Sequence, residues 1–194
     1  METPKGHDRK FLVCLYEFLG QIFFSYIVLV SGGTGSDYLG ICGPLALFVV
    51  VNMWGAVSGG HFNPAVTLGV FVREKKWSKN AFFAVVIICS QIAGALVGML
   101  LATVVMRIEE DGEFIMVKDK IPLLLPSKIT RDDIEAGTGT AKDVTEYFST
   151  TWMEIVCTFV FVLFILQVTG KRTMAPDLGV WGVAAICLNL LALC

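Results

Sequence analysis

The sequence consists of long apolar runs separated by short polar segments. Four runs, at residues 11–30, 41–57, 81–106 and 148–168, each have at least the roughly 17 residues that a helix needs to cross a bilayer. A fifth run begins at about residue 178 and continues to residue 194. The pattern therefore predicts five membrane-spanning helices.

A shorter apolar run follows the second span directly. Residues 57–69 read Val-Ser-Gly-Gly-His-Phe-Asn-Pro-Ala-Val-Thr-Leu-Gly. Asn63 and Pro64 match the residue preferences of the N-cap and of the first helical position. Nine apolar-rich residues from Pro64 span about 13 Å, which is roughly half of the ~30 Å hydrocarbon core. We predict a half-helix over residues 63–72 that enters the membrane without crossing it.

The residues before this half-helix indicate an aqueous path. Ser58, Gly59 and Gly60 permit irregular backbone. Such backbone is tolerated at membrane depth only where protein surrounds it or water reaches it. The alternative is a short amphipathic helix that lies flat on the membrane surface and has an ordinary Asn-Pro start.

Composition agrees with a multispanning membrane protein. Of the 194 residues, 55% are hydrophobic and 16% are charged, and the mean hydropathy is +0.71, which lies outside the soluble range. A net charge of −2 offers no basic surface for nucleic acid. Five of the six cysteines lie inside apolar runs and the sixth is terminal, so we predict neither a disulfide framework nor a metal site, and no cofactor is implied.

Basic residues in the short connections orient the chain. Three precede the first span, four lie within residues 73–79, and two are Lys171 and Arg172, whereas the connection between the first two spans has none. The positive-inside rule places the N-terminus and these basic connections in the cytoplasm. The half-helix then enters from the cytoplasmic side and returns there, and the long polar segment 107–147 is extracellular. The first span is long and lacks a small-residue cleavage site, so we expect a retained anchor.

The sequence also contains an internal repeat. Glu17 and Phe24 in the first span recur, with the same separation, as Glu154 and Phe161 in the fourth. A Leu-Gly-x-x-Gly-x-x-Ala pattern in the second span recurs in the fifth, at nearly the same offset. Because an odd number of spans separates the copies, this predicts two repeats of inverted topology.

These repeats organise a single domain, residues 1–194. The first repeat covers residues 1–106, and a partial second repeat covers residues 148–194. By the spacing of the repeat, the second half-helix would place its asparagine at about position 200–202, after the last residue of the sequence.

The segment Ser-Gly-Gly-His-Phe-Asn-Pro-Ala-Val-Thr-Leu-Gly resembles the first Asn-Pro-Ala signature of the aquaporins, the major intrinsic protein family. The resemblance covers nearly the whole chain apart from the loop between the third and fourth spans, and it includes Glu17-Phe18-Leu19-Gly20, Gln91-x-x-Gly94-Ala95, Glu154 and Thr158. It implies an all-α membrane protein, an aquaporin-like helical bundle of two inverted repeats with six spans and two half-helices. Five spans and one re-entrant half-helix are present here, so we expect a C-terminally truncated member or a fragment that does not conduct alone.

The resemblance implies a passive channel for water or small neutral solutes such as glycerol, and not an enzyme. Asn63 would cap its own helix with its side-chain oxygen and present its amide N–H groups to the permeant, while the positive end of the half-helix excludes protons and cations. The alternative is a non-conducting aquaporin-like protein, acting as a truncated partner or in a structural or junction role. The implied pore-lining residues are Gly59, Gly60, His61, Asn63, Pro64 and Ala65.

Glu17 and Glu154 are the only acids deep within the predicted spans. Because an ionisable side chain is costly inside a membrane, its presence there suggests a functional role. The resemblance implies that both are buried and hydrogen-bond re-entrant backbone, with Glu17 holding the two glycines of the loop in place. The alternative is a proton relay. For His61, the resemblance implies a place on the cytoplasmic half of the pore, and the alternative is a buried histidine hydrogen-bonded to a carbonyl group.

The resemblance also suggests where the pore is narrowest. Counting back from Asn63 gives Gly43, at a position where water-selective members carry an aromatic residue. If Pro44 kinks the helix, Cys42 takes that place instead. Aligning the fifth span gives Asn189, and a pair of glycine and asparagine would make a wide polar filter that passes glycerol or urea as well as water. A full-length member is implied to be a homotetramer in a lipid bilayer.

Overall fold

The computed structural model describes residues 7–33, 39–75, 77–105, 107–110, 113–116, 141–170 and 179–193. Within these residues the chain forms six helices and two short strands. In chain order they are α1 (His7–Gly33), α2 (Leu39–Ser58), α3 (Pro64–Glu74), α4 (Trp77–Val105), β1 (Arg107–Glu110), β2 (Glu113–Met116), α5 (Ala141–Val168) and α6 (Gly179–Leu193).

Four helices in the described part of the chain are long and apolar enough to cross a membrane. These candidate spans agree with the first four predicted spans to within two residues. α6 has 15 residues and is about 22 Å long, so the fifth span stays a prediction. The helical architecture confirms an all-α, multi-pass membrane protein. The four candidate spans are Arg9–Ser31, Ile41–Ser58, Asn80–Val105 and Phe148–Val168.

The polar segment predicted over residues 107–147 contains regular structure. β1 and β2 pair in antiparallel register, with Arg107 opposite Met116 and Glu110 opposite Glu113. The sequence between the strands is Asp-Gly, a dipeptide typical of two-residue hairpin turns that the sequence analysis did not use. α5 begins before the predicted span, at Ala141, and residues 117–140 lie outside the described residues.

Glycines allow α1 and α4 to pack closely. A Cβ atom on Gly98 would lie 2.6 Å from the carbonyl oxygen of Ile22, and one on Gly94 would collide with the carbonyl oxygen of Phe18. Small residues four apart are typical of close contacts between membrane helices. The contact brings together two helices that each carry a buried polar side chain.

Four helix ends lie together at one end of the bundle. The Nζ atom of Lys10, near the start of α1, lies 5.6 Å from the centre of the Phe83 ring in α4. Asn80 Nδ2, also near the start of α4, donates to Glu74 Oε2 at the end of α3 at 3.0 Å. Arg73 donates to a carbonyl group in the last turn of α5. The start of α1, which carries Lys10, and the end of α3, which carries Arg73, therefore lie on the same side of the protein, as the predicted topology requires.

The main core lies between α2, α3, α5 and α6. Large apolar side chains also cover the outer faces of the helices, where Phe82, Phe148 and Leu188 are among the most exposed. An apolar exterior suits the hydrocarbon of a bilayer. The buried core residues are Leu47, Val50, Phe62, Val66, Phe161, Ile165, Ile186 and Cys187.

Candidate functional site

Residues 59–62 form the loop that turns the chain from α2 into α3. Gly59 has φ 99° and Gly60 has φ 68°, values in the left-handed region that favours glycine. Phe62 has φ 39°, which is uncommon for a residue with a side chain. Ser58 Oγ accepts a hydrogen bond from the backbone N–H of Gly60 at 3.0 Å. The remaining polar groups of this irregular backbone need partners inside the protein.

Glu17 of α1 supplies two of these partners. Its side chain is fully buried. Oε1 accepts from the backbone N–H of His61 at 3.0 Å, and Oε2 accepts from that of Phe62 at 2.7 Å. Gln91 Nε2 of α4 also donates to Oε2, at 2.8 Å. The carboxyl group thus contacts the re-entrant backbone, at the two amides that follow the glycines rather than at the glycines themselves.

These contacts place the loop deep within the bundle. Glu17 lies eight residues into the first candidate span and Gln91 eleven residues into the third. At 1.5 Å per residue, they are about 12 Å and 16 Å from the end where those spans begin. The loop therefore lies inside the bundle, at a depth that disfavours the alternative in which this segment lies flat on the membrane surface.

Phe62 fixes the loop against α1. Its side chain is 2% exposed, and its ring occupies the space that a Cβ atom on Gly20 would need. A side chain at position 20 would therefore displace the ring. Gly20 and Phe62 are paired by shape, and this pairing holds the loop at the level of Glu17.

Asn63 is the N-cap of α3. It has extended backbone, with φ −160° and ψ 125°, and its Oδ1 accepts from the backbone N–H of Ala65 at 2.8 Å. Pro64 occupies the first helical position, as the sequence predicts. Because Oδ1 is engaged by the helix, the Nδ2 amide is the end of the side chain left to donate. α3 has 11 residues, a length of about 16 Å, and so ends two residues later than predicted.

Thr67 joins the cap to the buried polar network. Its Oγ1 donates to the carbonyl oxygen of Asn63 at 3.1 Å, accepts from Gln91 Nε2 at 3.0 Å, and lies 3.2 Å from His61 Nδ1. The partner of His61 is thus a hydroxyl group, not the carbonyl group of the alternative interpretation. The sequence analysis assigned no role to Thr67. The sequence feature that could have identified Thr67 is a hydroxyl residue one helical turn after the N-cap, on the same face of α3 as Asn63.

A cavity of about 1200 Å³ lies beside the loop. Four of the predicted pore-lining residues face it: Gly59, Gly60, His61 and Asn63. Pro64 and Ala65 are not among the lining residues, because they form the first turn of α3 behind the cap. Among the described residues, no cluster of His, Cys, Asp and Glu could hold a metal ion.

The prediction that Glu154 is buried is wrong. Its side chain is exposed and lines the cavity from α5. Glu17 is buried where three donors converge on its carboxyl group, whereas Glu154 faces the open cavity. A carboxylate without buried donors is too costly to bury.

The two predicted filter residues do not line the cavity either. Gly43 faces α1, since a Cβ atom there would lie 3.9 Å from the nearest side chain, which belongs to that helix. Cys42, the alternative, is half-buried and also away from the cavity. Asn189 is half-buried, and its Oδ1 has no hydrogen-bond partner among the described residues. At these levels of α2 and α6 the lining residues are Leu47 and Leu190.

Comparisons with known proteins agree with the geometry. Over 186 residues the chain is 27% identical to the probable aquaporin PIP2-7 of Oryza sativa subsp. japonica, covering 89% of this chain and 56% of that protein. It is 37% identical over 104 residues to aquaporin-8 of Notomys alexis, covering 51% of this chain and 39% of that protein. It is 35% identical over 101 residues to the probable glycerol uptake facilitator protein of Thermotoga maritima, covering 46% of this chain and 42% of that protein.

The chain spans about half the length of the curated relatives that it matches. The family model described as major intrinsic protein matches residues 12–193, which include nearly all of the described spans, the re-entrant loop and α3. On this match, and with a short helix capped by Asn63 inside the bundle, the chain belongs to the major intrinsic protein family.

Proposed function

We propose that this protein is a passive membrane channel for water or small neutral solutes, and that the permeant passes through the cavity beside Asn63. The observation that carries the proposal is the re-entrant loop. It lies near the middle of the membrane, it is fixed there by Glu17, and it opens the N-terminal end of α3 onto a cavity lined by its own backbone. Irregular backbone at this depth is stable only beside protein or water.

Asn63 is the residue that orients the permeant. Its Oδ1 is engaged by the N–H of Ala65, so its Nδ2 donates to the oxygen atom of a passing water or alcohol. A water molecule that accepts this hydrogen bond is oriented with its oxygen toward Asn63. It then interrupts the continuous chain of hydrogen bonds that proton transfer along a file of water molecules requires. The N-terminus of α3 carries about half a positive charge, which opposes the passage of protons and other cations.

The rest of the loop supplies acceptors and rigidity. The carbonyl groups of Gly59, Gly60 and His61 accept hydrogen bonds from the permeant on the cytoplasmic side of Asn63. Glu17 binds two successive N–H groups of this segment, which keeps the opposite side of each peptide unit available to the cavity. Water and glycerol both fit this arrangement, because each presents an oxygen to Asn63 and hydroxyl hydrogens to the carbonyl groups.

The full assembly is a homotetramer in a lipid bilayer with the N-terminus in the cytoplasm. The orientation is supported by the placement of Lys10, Arg73 and the end of α5 at one end of the bundle. Basic residues in short connections favour the cytoplasmic side. The tetramer is supported by family membership alone.

Osmotic swelling of proteoliposomes tests the channel. The protein is reconstituted both as the 194-residue chain and with any sequence that its gene encodes after Cys194. We expect the longer form to show water permeability well above that of empty liposomes, a smaller increase for glycerol, and no proton leak, with the 194-residue chain as its comparison. Asn63→Ala should lower water permeability by about fivefold to tenfold, the effect of losing one typical hydrogen bond to the permeant.

Asn52→Ala is the matched control. Asn52 lines the same cavity, but its Nδ2 donates to the carbonyl oxygen of Phe48 within α2 at 2.7 Å. Its replacement should change permeability less than twofold. Equal losses in both variants would contradict the role of Asn63. A folded, inserted protein that passes neither water nor glycerol in either form would support the non-conducting alternative.

A further inference from the structure

α3 and α5 meet along a short seam at the end of the bundle that also holds the start of α1. A Cβ atom on Gly69 would lie 2.6 Å from Val162 Cγ1 and 3.4 Å from Leu166 Cδ1. One turn further along α3, Arg73 Nη1 donates to the carbonyl oxygen of Leu166 at 3.0 Å and to Thr169 Oγ1 at 2.8 Å. The contacted positions on α5 are four and three residues apart, so they share one helix face.

The contacts of Arg73 complete the C-terminal end of α5. The last carbonyl groups of a helix lack N–H partners within the helix. The N–H groups of Thr169 and Gly170 go to the carbonyl groups of Ile165 and Gln167, and the carbonyl group of Leu166 accepts from Arg73. A cation at this position is also favoured by the negative end of the helix dipole. The hydroxyl of Thr169 donates to Ile165, which fixes it as an acceptor for the guanidinium.

The seam lies at the mouth of the cavity. Arg73, Val168 and Thr169 line the same cavity as Asn63. The close approach at Gly69 involves only apolar side chains of α5, so it has no preferred direction. Arg73 adds a directional, polar connection between the half-helix of the first repeat and the first helix of the second.

We propose that Arg73 is a positioning residue that straps α3 to α5 and thereby sets the width of the cavity mouth at this end. The proposal builds on the proposed function, because the strap places the half-helix that carries Asn63. Loss of the strap leaves the apolar contact at Gly69 to hold the seam, and α3 then moves away from α5 and widens the entrance. Thr169 contributes to this connection because its hydroxyl oxygen accepts one of the two hydrogen bonds from Arg73.

The test uses Cys157, which lines the cavity about 16 Å along α5 from Val168. In a background with the other five cysteines replaced by alanine, the rate of Cys157 modification by a charged, membrane-impermeant thiosulfonate reagent is measured in right-side-out and inside-out vesicles. Arg73→Gln should raise the rate by at least about fivefold from the side that carries Lys10, because about fivefold corresponds to one typical hydrogen bond and Arg73 makes two at the end of α5. The rate from the other side should not change.

Lys75→Gln is the charge-matched control. Lys75 is exposed and caps the same helix, so its replacement removes the same charge without touching α5, and the rate should stay within twofold of wild type. Thr169→Val should raise the rate by a smaller factor, and combining it with Arg73→Gln should add nothing. If Arg73→Gln misfolds by gel filtration, Arg73→Lys replaces it, with an intermediate rate expected because lysine cannot reproduce the planar guanidinium.

An unchanged or absent reaction of Cys157 in the Arg73 variants overturns the strap. Equal acceleration by Lys75→Gln also overturns it, because charge alone would then explain the effect. The labelling rate does not depend on flux. A protein that conducts nothing but shows the predicted acceleration would leave the strap in place and reject the channel.

Discussion

Glu17 and Glu154 occupy matching positions of the two predicted sequence repeats, and they lie in opposite environments. Glu17 is fully buried and accepts hydrogen bonds from two loop amides and from Gln91. Glu154 is exposed and faces the cavity. The same side chain on the same kind of helix is buried only where donors converge on it, which shows that the re-entrant loop determines the burial of the acid.

Two further pairs of equivalent positions show the same contrast. Gly20 leaves space for the ring of Phe62, whereas Cys157, its counterpart in the second repeat, lines the cavity. Val50 is fully buried in the core, whereas its counterpart Asn189 has a buried oxygen without a hydrogen-bond partner among the described residues. In each of these pairs the residue before the loop packs against neighbouring side chains, whereas its counterpart on α5 or α6 lines the cavity or keeps an unpaired oxygen among the described residues.

Replacing the acids gives the largest expected difference. Glu17→Ala leaves three donors without their acceptor, at about 1–3 kcal/mol each, so the free energy of unfolding should fall by at least about 3 kcal/mol. Glu17→Gln keeps one acceptor oxygen and should lose less. Glu154→Ala removes an exposed group and should change stability by less than about 0.5 kcal/mol. Titration with a denaturing detergent, followed by tryptophan fluorescence, measures all three. Similar losses of stability in Glu17→Ala and Glu154→Ala would contradict the difference between the two environments.

Exchanging Val50 and Asn189 gives the next largest effect. Val50→Asn places an amide in an apolar core without a partner, which should cost about 2 kcal/mol or more. Asn189→Val removes an acceptor that is already unpaired, so stability should stay the same or rise by up to about 1 kcal/mol. The unfolding midpoints of the two variants should therefore move in opposite directions or differ widely. A clear loss on Asn189→Val would show that the oxygen has a partner after all.

The smallest expected effect tests the pairing of Gly20 with Phe62. Gly20→Cys introduces the residue of the second repeat into the space of the ring, and overpacking of this kind costs about 1–3 kcal/mol. Cysteine forms helix better than glycine, so the observed loss is a lower limit for the steric effect. Cys157→Ala, on the cavity side, should stay within about 0.5 kcal/mol. Thermal unfolding in detergent compares the two, and equal stability would argue against a steric role for the glycine.

The sequence predicts the spans and the half-helix well because a bilayer leaves few solutions. Every backbone polar group in hydrocarbon must be satisfied internally, so a long apolar run becomes a helix. The nine-residue apolar run after Asn63 is too short to cross the membrane. Asn63 and Pro64 at its start favour the beginning of a helix whatever the rest of the chain does. The length of an apolar run and the start of a helix depend only on neighbouring residues, so both can be predicted from a single sequence.

The environments of individual side chains depend on partners far away in the sequence. Glu17 meets amides 44 and 45 residues later, and Arg73 meets α5 at residues 93 and 96 positions later. Glu154 was misplaced because the resemblance gave it the buried environment of Glu17. Asn189 was misplaced because its position in the filter came from aligning the fifth span with the family and not from any contact. The hairpin of β1 and β2 was missed for a different reason: its Asp-Gly signal lies in a segment interpreted only as polar.

The hydrogen bonds of Glu17 also have a consequence for biosynthesis. The ribosome makes Glu17 44 residues before His61 and 74 residues before Gln91. At about 5–20 residues per second, the last donor follows roughly 4–15 s after the acid itself. During that interval α1 carries a carboxyl group that lacks at least one of its final donors, and such a group is costly to place in lipid. We therefore expect α1 to enter the bilayer together with α4, as a pair whose polar side chains already face each other.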